Sequence, residues 1–233
     1  MKKIYVLPNL FTTANMFCGF YAIVAAIHGN FVTAAWSVLV AMVFDSMDGR
    51  VARLTRATSA FGVEYDSLSD LISFGMAPAL LAYQWCLEPF GRLGWLAAFL
   101  YLVCAALRLA RFNVMTGTIP KRYFQGLPSP LAAATLATSV IFYYELELKV
   151  PKENYILALT FVLGSLMIST IRFTSFKEMK VSKENSFGYL AVGILTLVLI
   201  AVKPEVTLFV MCLLYIVVGM ALDLVRVLFN RGG

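Results

Sequence analysis

The chain carries little charge, a single histidine and no paired cysteines. Only 14% of its 233 residues are charged, against about 25% in a typical soluble domain. That is too little polar surface for an ordinary globule in water, so lipid must solvate most of the chain. The one histidine, His28, falls at the outer end of the first apolar segment and is given no catalytic role. The cysteines, Cys18, Cys86, Cys104 and Cys212, lie far apart in apolar stretches with no C-x-x-C pair. They read as small buried hydrophobes, not as a disulfide framework or a zinc site. The short alternating segments of a membrane barrel are missing, as are internal repeats and low-complexity tracts. No cleavable leader is expected, because the apolar stretch after Lys2 and Lys3 runs to about residue 27 and leads into further spans.

What the sequence has in abundance is apolar length. Hydrophobic residues make up 61% of it and the mean hydropathy is +0.81. Eight apolar segments are legible, at about 7–27, 31–53, 62–86, 93–115, 128–144, 154–173, 186–202 and 205–229. They are separated by Gly29-Asn30, Pro89, the run from Pro120 to Pro128, Pro151 and Pro204. In hydrocarbon every backbone group must be satisfied within the chain, so the spans should be helices. The expected fold is an all-α polytopic membrane bundle of about eight transmembrane helices.

Eight spans put both termini on one side. That side collects the basic residues from Lys2 to Arg56, from Arg108 to Arg122, from Arg172 to Lys183, and Arg226 and Arg231. The other side holds only Arg92, Lys149, Lys152 and Lys203. The positive-inside rule makes the rich side cytoplasmic. The net charge of +6 is thereby explained by orientation and anionic headgroups, and nucleic acid is not expected as a partner.

The informative polar stretch runs from Asp45 to Asp70. Asp45 and Asp48 are three apart on the second segment; Asp66 and Asp70 are four apart on the third. Both spacings put two carboxylates on one helical face. In an antiparallel hairpin turning near residue 57, Asp45 comes level with Asp70 and Asp48 with Asp66. Asp70 lies about 12 Å along the axis from Gly62, so the cluster is sunk into the cytoplasmic leaflet region and open toward the cytoplasm. Carboxylates converging in this way inside a membrane are costly. Ion pairs with Arg50, Arg53 or Arg56 offset part of the cost, and hard divalent cations, magnesium or manganese, explain the convergence directly. Gly49 and Ala52 flank the acidic stripe with bare backbone. Their spacing fits helix packing and also fits close approach of a flat nucleotide. Glu64 points about 160° away from Asp66 and stands outside the cluster.

These residues spell D-G-x2-A-R-x8-G-x3-D-x3-D, from Asp48, Gly49, Ala52 and Arg53 through Gly62 and Asp66 to Asp70, with Asp45 three before. The pattern resembles the signature of the CDP-alcohol phosphatidyltransferase family. The resemblance implies two divalent ions held by Asp45, Asp48, Asp66 and Asp70, with Asp70 as the catalytic base. It implies a CDP moiety held beside them by Asn9, Thr12, Asp48, Gly49, Ala52, Arg53, Gly62 and Asp66, and a homodimer. It also implies a six-helix core, here about 5–175 of a single membrane-embedded domain 1–233, with two further helices at about 186–229.

Three other stretches bear on the acceptor. Asn9, Thr12 and Asn15 recur every three residues at the start of the first segment, which fits capping and interhelical hydrogen bonds as well as a ligand face. Arg108 and Arg111 share a side near the end of the fourth segment, with Asn113 adjacent, and suit an anion. The run Phe124 to Pro130, with Ser129, is a rigid re-entry into the fifth segment. Together with Asp66 to Gly75, these resemble the membrane-type phosphatidylserine synthase branch of the family. That resemblance implies CDP-diacylglycerol and L-serine as substrates, with Arg108, Arg111, Asn113 and Ser129 as the serine contacts. The alternatives are a relative that uses glycerol 3-phosphate or an inositol acceptor, and a divalent-cation transporter. The expected location is a multi-pass integral membrane protein with a cytoplasmic active site, in the plasma membrane for a prokaryotic source.

Overall fold

A computed structural model describes residues 6–55, 59–115, 123–147, 153–174, 193–195, 197–199 and 201–230. The described chain is helical: α1 (Val6–Ile27), α2 (Phe31–Leu54), α3 (Ala60–Asp70), α4 (Ala77–Ala82), α5 (Arg92–Met115), α6 (Ser129–Glu145), α7 (Glu153–Ile168) and α8 (Pro204–Asn230). Two π-helical stretches, Leu71–Met76 and Tyr83–Leu87, join α3 to α4 and carry α4 on to a short 3-10 turn at Glu88–Phe90. The expected third span is therefore one helical rod from Ala60 to Phe90, built of turns of three widths.

Helices α1, α2, α5 and the Pro204–Arg226 part of α8 are long and apolar enough to cross a membrane; α7 is apolar but shorter. Large apolar side chains such as Phe17, Phe20, Phe99 and Leu214 are exposed on them, as expected of surfaces in contact with lipid tails. The protein is an integral membrane protein. Most of the expected 186–202 segment lies outside the described residues, and its described parts are helical.

Packing rests on small residues. Helices α1 and α2 form a close antiparallel pair through Ala22, Ala25 and Ala26 against Ala34, Ala35, Val38 and Ala41, all buried. Gly19 admits the rod: a Cβ there would stand 2.7 Å from the Ser73 Cα. Helix α6, buried from Ala132 to Ile141, runs through the middle of the bundle and touches α2, α7 and α8. Close approach through small side chains replaces the hydrophobic driving force that lipid removes.

Two details depart from the expected all-helical layout. Helix α7 ends at Ile168, short of the expected 173. Beyond it, Arg172–Thr174 pairs antiparallel with Tyr123–Gln125, as β2 with β1, in register Phe124 with Phe173. The helix stops because Ser169 turns back to the Leu166 carbonyl and Arg111 takes the last carbonyls of α7. Phe173 is fully buried, with Gly219 of α8 packed against its ring.

Candidate active site

Helices α2 and α3 bring the four aspartates together as their spacing requires. Asp45 meets Asp70, and Asp48 meets Asp66. One carboxylate oxygen each of Asp45, Asp48 and Asp66 lies within 4.8 Å of the others. Asp70 stands beside this trio, against Asp45. The turn expected near residue 57 lies outside the described residues. Helix α3 begins at Ser59, whose hydroxyl accepts from the Gly62 N–H at 3.0 Å, an N-cap that fixes where the acidic face starts.

Helix α1 orients the carboxylates from the side. Thr12 donates to Asp48 Oδ2 at 2.9 Å, and the fully buried Asn15 donates to Asp70 Oδ1 at 3.1 Å. The rod returns the favour: Ser69 donates to the Thr12 carbonyl and Ser73 to the Asn15 carbonyl, each at 3.0 Å. Sequence reading noted Asn15 on the polar face of α1 but missed its contact with Asp70. It also missed Ser69 and Ser73, whose four-residue spacing was the available signal.

The cluster fits a metal. Asp66 Oδ1 is buried with no hydrogen-bond partner among the described residues, an expensive state for a carboxylate oxygen. The converging donors are all carboxylate oxygens, the ligand set of hard divalent cations and not of zinc.

Two cavities open on either side of Val63 and Asp66. One, of about 180 Å³, is lined by Asn9, Thr12, Asp48, Gly49, Ala52, Arg53, Gly62 and Asp66, together with Pro8, Ser59 and Val63. Every residue expected to hold CDP is in that lining. A Cβ added at Gly49 would meet nothing nearer than the Arg53 guanidinium at 3.5 Å, so the cavity face of α2 is bare there. The other cavity, of about 280 Å³, is lined by Asp66, Ser67, Asp70, Arg108 and Asn113, with Pro128 and Pro130 on its far wall.

The four residues expected to contact the acceptor are divided by the structure. Arg108 reaches the second cavity, is 9% exposed, and donates to Ser129 Oγ at 2.8 Å. Its Nε has no partner among the described residues, so it retains a donor for an anion. Asn113 also lines the cavity and is tied to Ser67, donating to its hydroxyl at 2.9 Å. Ser129 is fully buried behind Arg108. Arg111 turns away, and its guanidinium donates to the carbonyls of Gln125, Met167, Ile168 and Ser169. Glu64 is exposed, away from the trio, and none of the four cysteines forms a disulfide among the described residues.

Residues 5–164 match the model of the CDP-alcohol phosphatidyltransferase family. A CDP-diacylglycerol–serine O-phosphatidyltransferase of Helicobacter pylori is 39% identical over 240 residues, covering 99% of this chain and 98% of the relative. One of Bacillus subtilis is 34% identical over 172 residues, 74% of this chain and 92% of the relative. An archaetidylserine synthase of Methanothermobacter thermautotrophicus is 42% identical over 145 residues, 60% of this chain and 61% of the relative. With the acidic hairpin assembled as its spacing requires, and with a family match and near-full-length likeness to back it, this chain belongs to the CDP-alcohol phosphatidyltransferase family.

Proposed function

We propose that this protein transfers the phosphatidyl group of CDP-diacylglycerol to the hydroxyl of L-serine, giving phosphatidylserine and CMP. One observation carries the reading: two cavities share Asp66, one lined by polar and small residues suited to a nucleotide pyrophosphate, the other containing a buried arginine whose Nε has no partner among the described residues. The names of the relatives support serine as the acceptor.

In this reading the CDP moiety lies in the smaller cavity, with Asn9, Thr12 and Arg53 toward its phosphates and the bare faces of Gly49, Ala52 and Gly62 toward the nucleotide. Serine occupies the larger cavity. Its carboxylate meets Arg108, which Ser129 orients, and its hydroxyl faces Asp70. Asp70 accepts the hydroxyl proton as the serine oxygen bonds to the phosphorus that bears diacylglycerol, and the bond from that phosphorus to the CMP oxygen breaks. Asn15, by engaging Asp70 Oδ1, sets the carboxylate plane for that transfer. Asp45, Asp48, Asp66 and Asp70 would hold two divalent ions, magnesium or manganese, whose chemistry when bound is to neutralise pyrophosphate charge and improve CMP as a leaving group. The working protein is a homodimer and a single domain, with both termini and the site on the cytoplasmic side.

The test is CMP release and lipid labelling by purified protein given CDP-diacylglycerol and radiolabelled serine, with glycerol 3-phosphate and an inositol phosphate as parallel acceptors. Labelled phosphatidylserine is expected. Release of CMP with another acceptor but not with serine would move the protein to a different branch of its family. No release with any acceptor, together with divalent-cation flux in proteoliposomes, would favour a transporter.

A further inference from the structure

Arg111 sits one helical turn beyond Arg108 on α5 but does not line the cavity. Its guanidinium gathers four backbone carbonyls: Gln125 at 2.8 Å, Ile168 at 3.2 Å, Met167 at 3.3 Å and Ser169 at 3.4 Å. Met167 and Ile168 end α7 and Ser169 follows directly, where carbonyls lack helical partners and the helix dipole is negative. The fourth is the last residue of β1.

From Gln125 the chain runs straight to the cavity wall. Gly126 has φ +80°, and an added Cβ would crowd the Met167 carbonyl and stand 2.9 Å from Arg111 Nη2. Its N–H donates to the Ile171 carbonyl, and the Leu127 N–H donates to the Leu166 carbonyl, both at 2.9 Å. Pro128 then faces the cavity, and Ser129 accepts from Arg108. Two arginines of one helix thus pin the Gln125–Ser129 segment at both ends. Helix α8, beyond the family match at 5–164, backs the same segment: its Gly219 lies on the ring of Phe173, whose strand pairs with β1.

We propose that Arg111 is a positioning residue that fixes the wall of the acceptor cavity by holding Gln125–Ser129 against the end of α7, with α8 as its backing. The proposal rests on the reading of that cavity as the serine site. Arg111 acts through backbone, not through contact with serine.

The full-length Arg111→Met variant tests this with two readouts: apparent constants for both substrates, and amide hydrogen exchange. The serine constant should rise on the order of tenfold to a hundredfold, as expected for about 1 Å of misplacement. The CDP-diacylglycerol constant should stay within about twofold of wild type, the pattern of a loss confined to one substrate. Exchange should accelerate in peptides covering 123–130 and 166–174 and nowhere else. Arg111→Lys, whose ammonium still donates to carbonyl oxygens, should recover most of the serine affinity. Gly219→Val should shift serine affinity and local exchange in the same direction as Arg111→Met. A serine constant within about twofold of wild type overturns the proposal. So does a rise in both constants with faster exchange throughout the bundle, which would make Arg111 merely structural. A raised serine constant with unchanged exchange at Gly126 and Leu127 also overturns it, since the guanidinium would then meet the substrate directly. Should wild type not use serine at all, the functional reading falls, and the exchange measurement alone decides the tether: local acceleration supports it, and none overturns it.

Discussion

Asp66 and Asp70 share a helix but face different neighbours, and that difference assigns their work. Asp66 Oδ1 is buried without a hydrogen-bond partner among the described residues and Asp66 borders both cavities, whereas Asp70 accepts from Asn15 and lines the larger cavity. In the proposed mechanism Asp70→Asn keeps the shape and removes the base. CMP release should fall by about a hundredfold to ten-thousandfold, the usual contribution of a general base. Chelator should abolish activity, and added magnesium or manganese should restore it. Full turnover in chelator, or a fully active Asp70→Asn protein, would remove the carboxylate–metal reading. Arg108 supplies the second prediction at this scale. A buried guanidinium facing a planar carboxylate is poorly replaced by an ammonium, and loss of such a contact costs about 2–5 kcal/mol. Arg108→Lys should therefore raise the serine constant about 30-fold or more, at 1.4 kcal/mol per tenfold, while the CDP-diacylglycerol constant stays put. Steady-state constants for both substrates check it; the reverse pattern would assign Arg108 to phosphate.

At the scale of elements, the helical rod from Ala60 to Phe90 depends on its contact with α1. Ser69 and Ser73 bond to backbone of α1 at Thr12 and Asn15, and Gly19 lets the two backbones close. Gly19→Ala must push the rod outward, because the neighbour it meets is the Ser73 backbone. Overpacking of this kind costs about 1–3 kcal/mol, so a lowered melting temperature in detergent is expected, and an unchanged one would contradict the contact. The sequence showed this rod as one apolar run, and the π-helical stretches were invisible in it. A widened turn leaves no repeat in the apolar pattern, and the bonds to α1 lie far away in sequence. The aspartate pairing was legible because it needs only helical spacing and an antiparallel hairpin. The fate of Arg111 was not: residues three apart share a face, but reach is set by what lies opposite. Arg108 finds Ser129, and Arg111 finds the end of α7. The β1–β2 ladder pairs three-residue strands from distant parts of the chain, below any length at which alternation can be read.

For the whole molecule, hydropathy located most of the helices to within a few residues, since lipid rewards long apolar runs. Helix α6 is the exception in kind. It is 17 residues long and buried without a break from Ala132 to Ile141, so its alanines and threonines answer to packing and not to lipid. The proposed orientation, with both termini cytoplasmic, rests on the placement of basic residues. Reporter fusions at the N-terminus and between residues 116 and 122 should both report the cytoplasm, while fusions near Lys149 and Lys203 should report the opposite side. A reporter between residues 116 and 122 facing outward would reject the eight-span topology.

Val63 and Asp66 stand in the walls of both cavities. In the proposed reading the nucleotide of the donor and the alcohol are resident together, one in each cavity, so the alcohol can attack the phosphorus before CMP leaves. Nothing in such an arrangement calls for the lipid to be parked on the protein between two half-reactions. The kinetics should be those of a ternary complex, with intersecting double-reciprocal lines. A donor made chiral at the transferred phosphorus should yield product of inverted configuration, the outcome of one displacement. Retained configuration would require an even number of displacements, and a nucleophile on this chain that accepts the phosphatidyl group first.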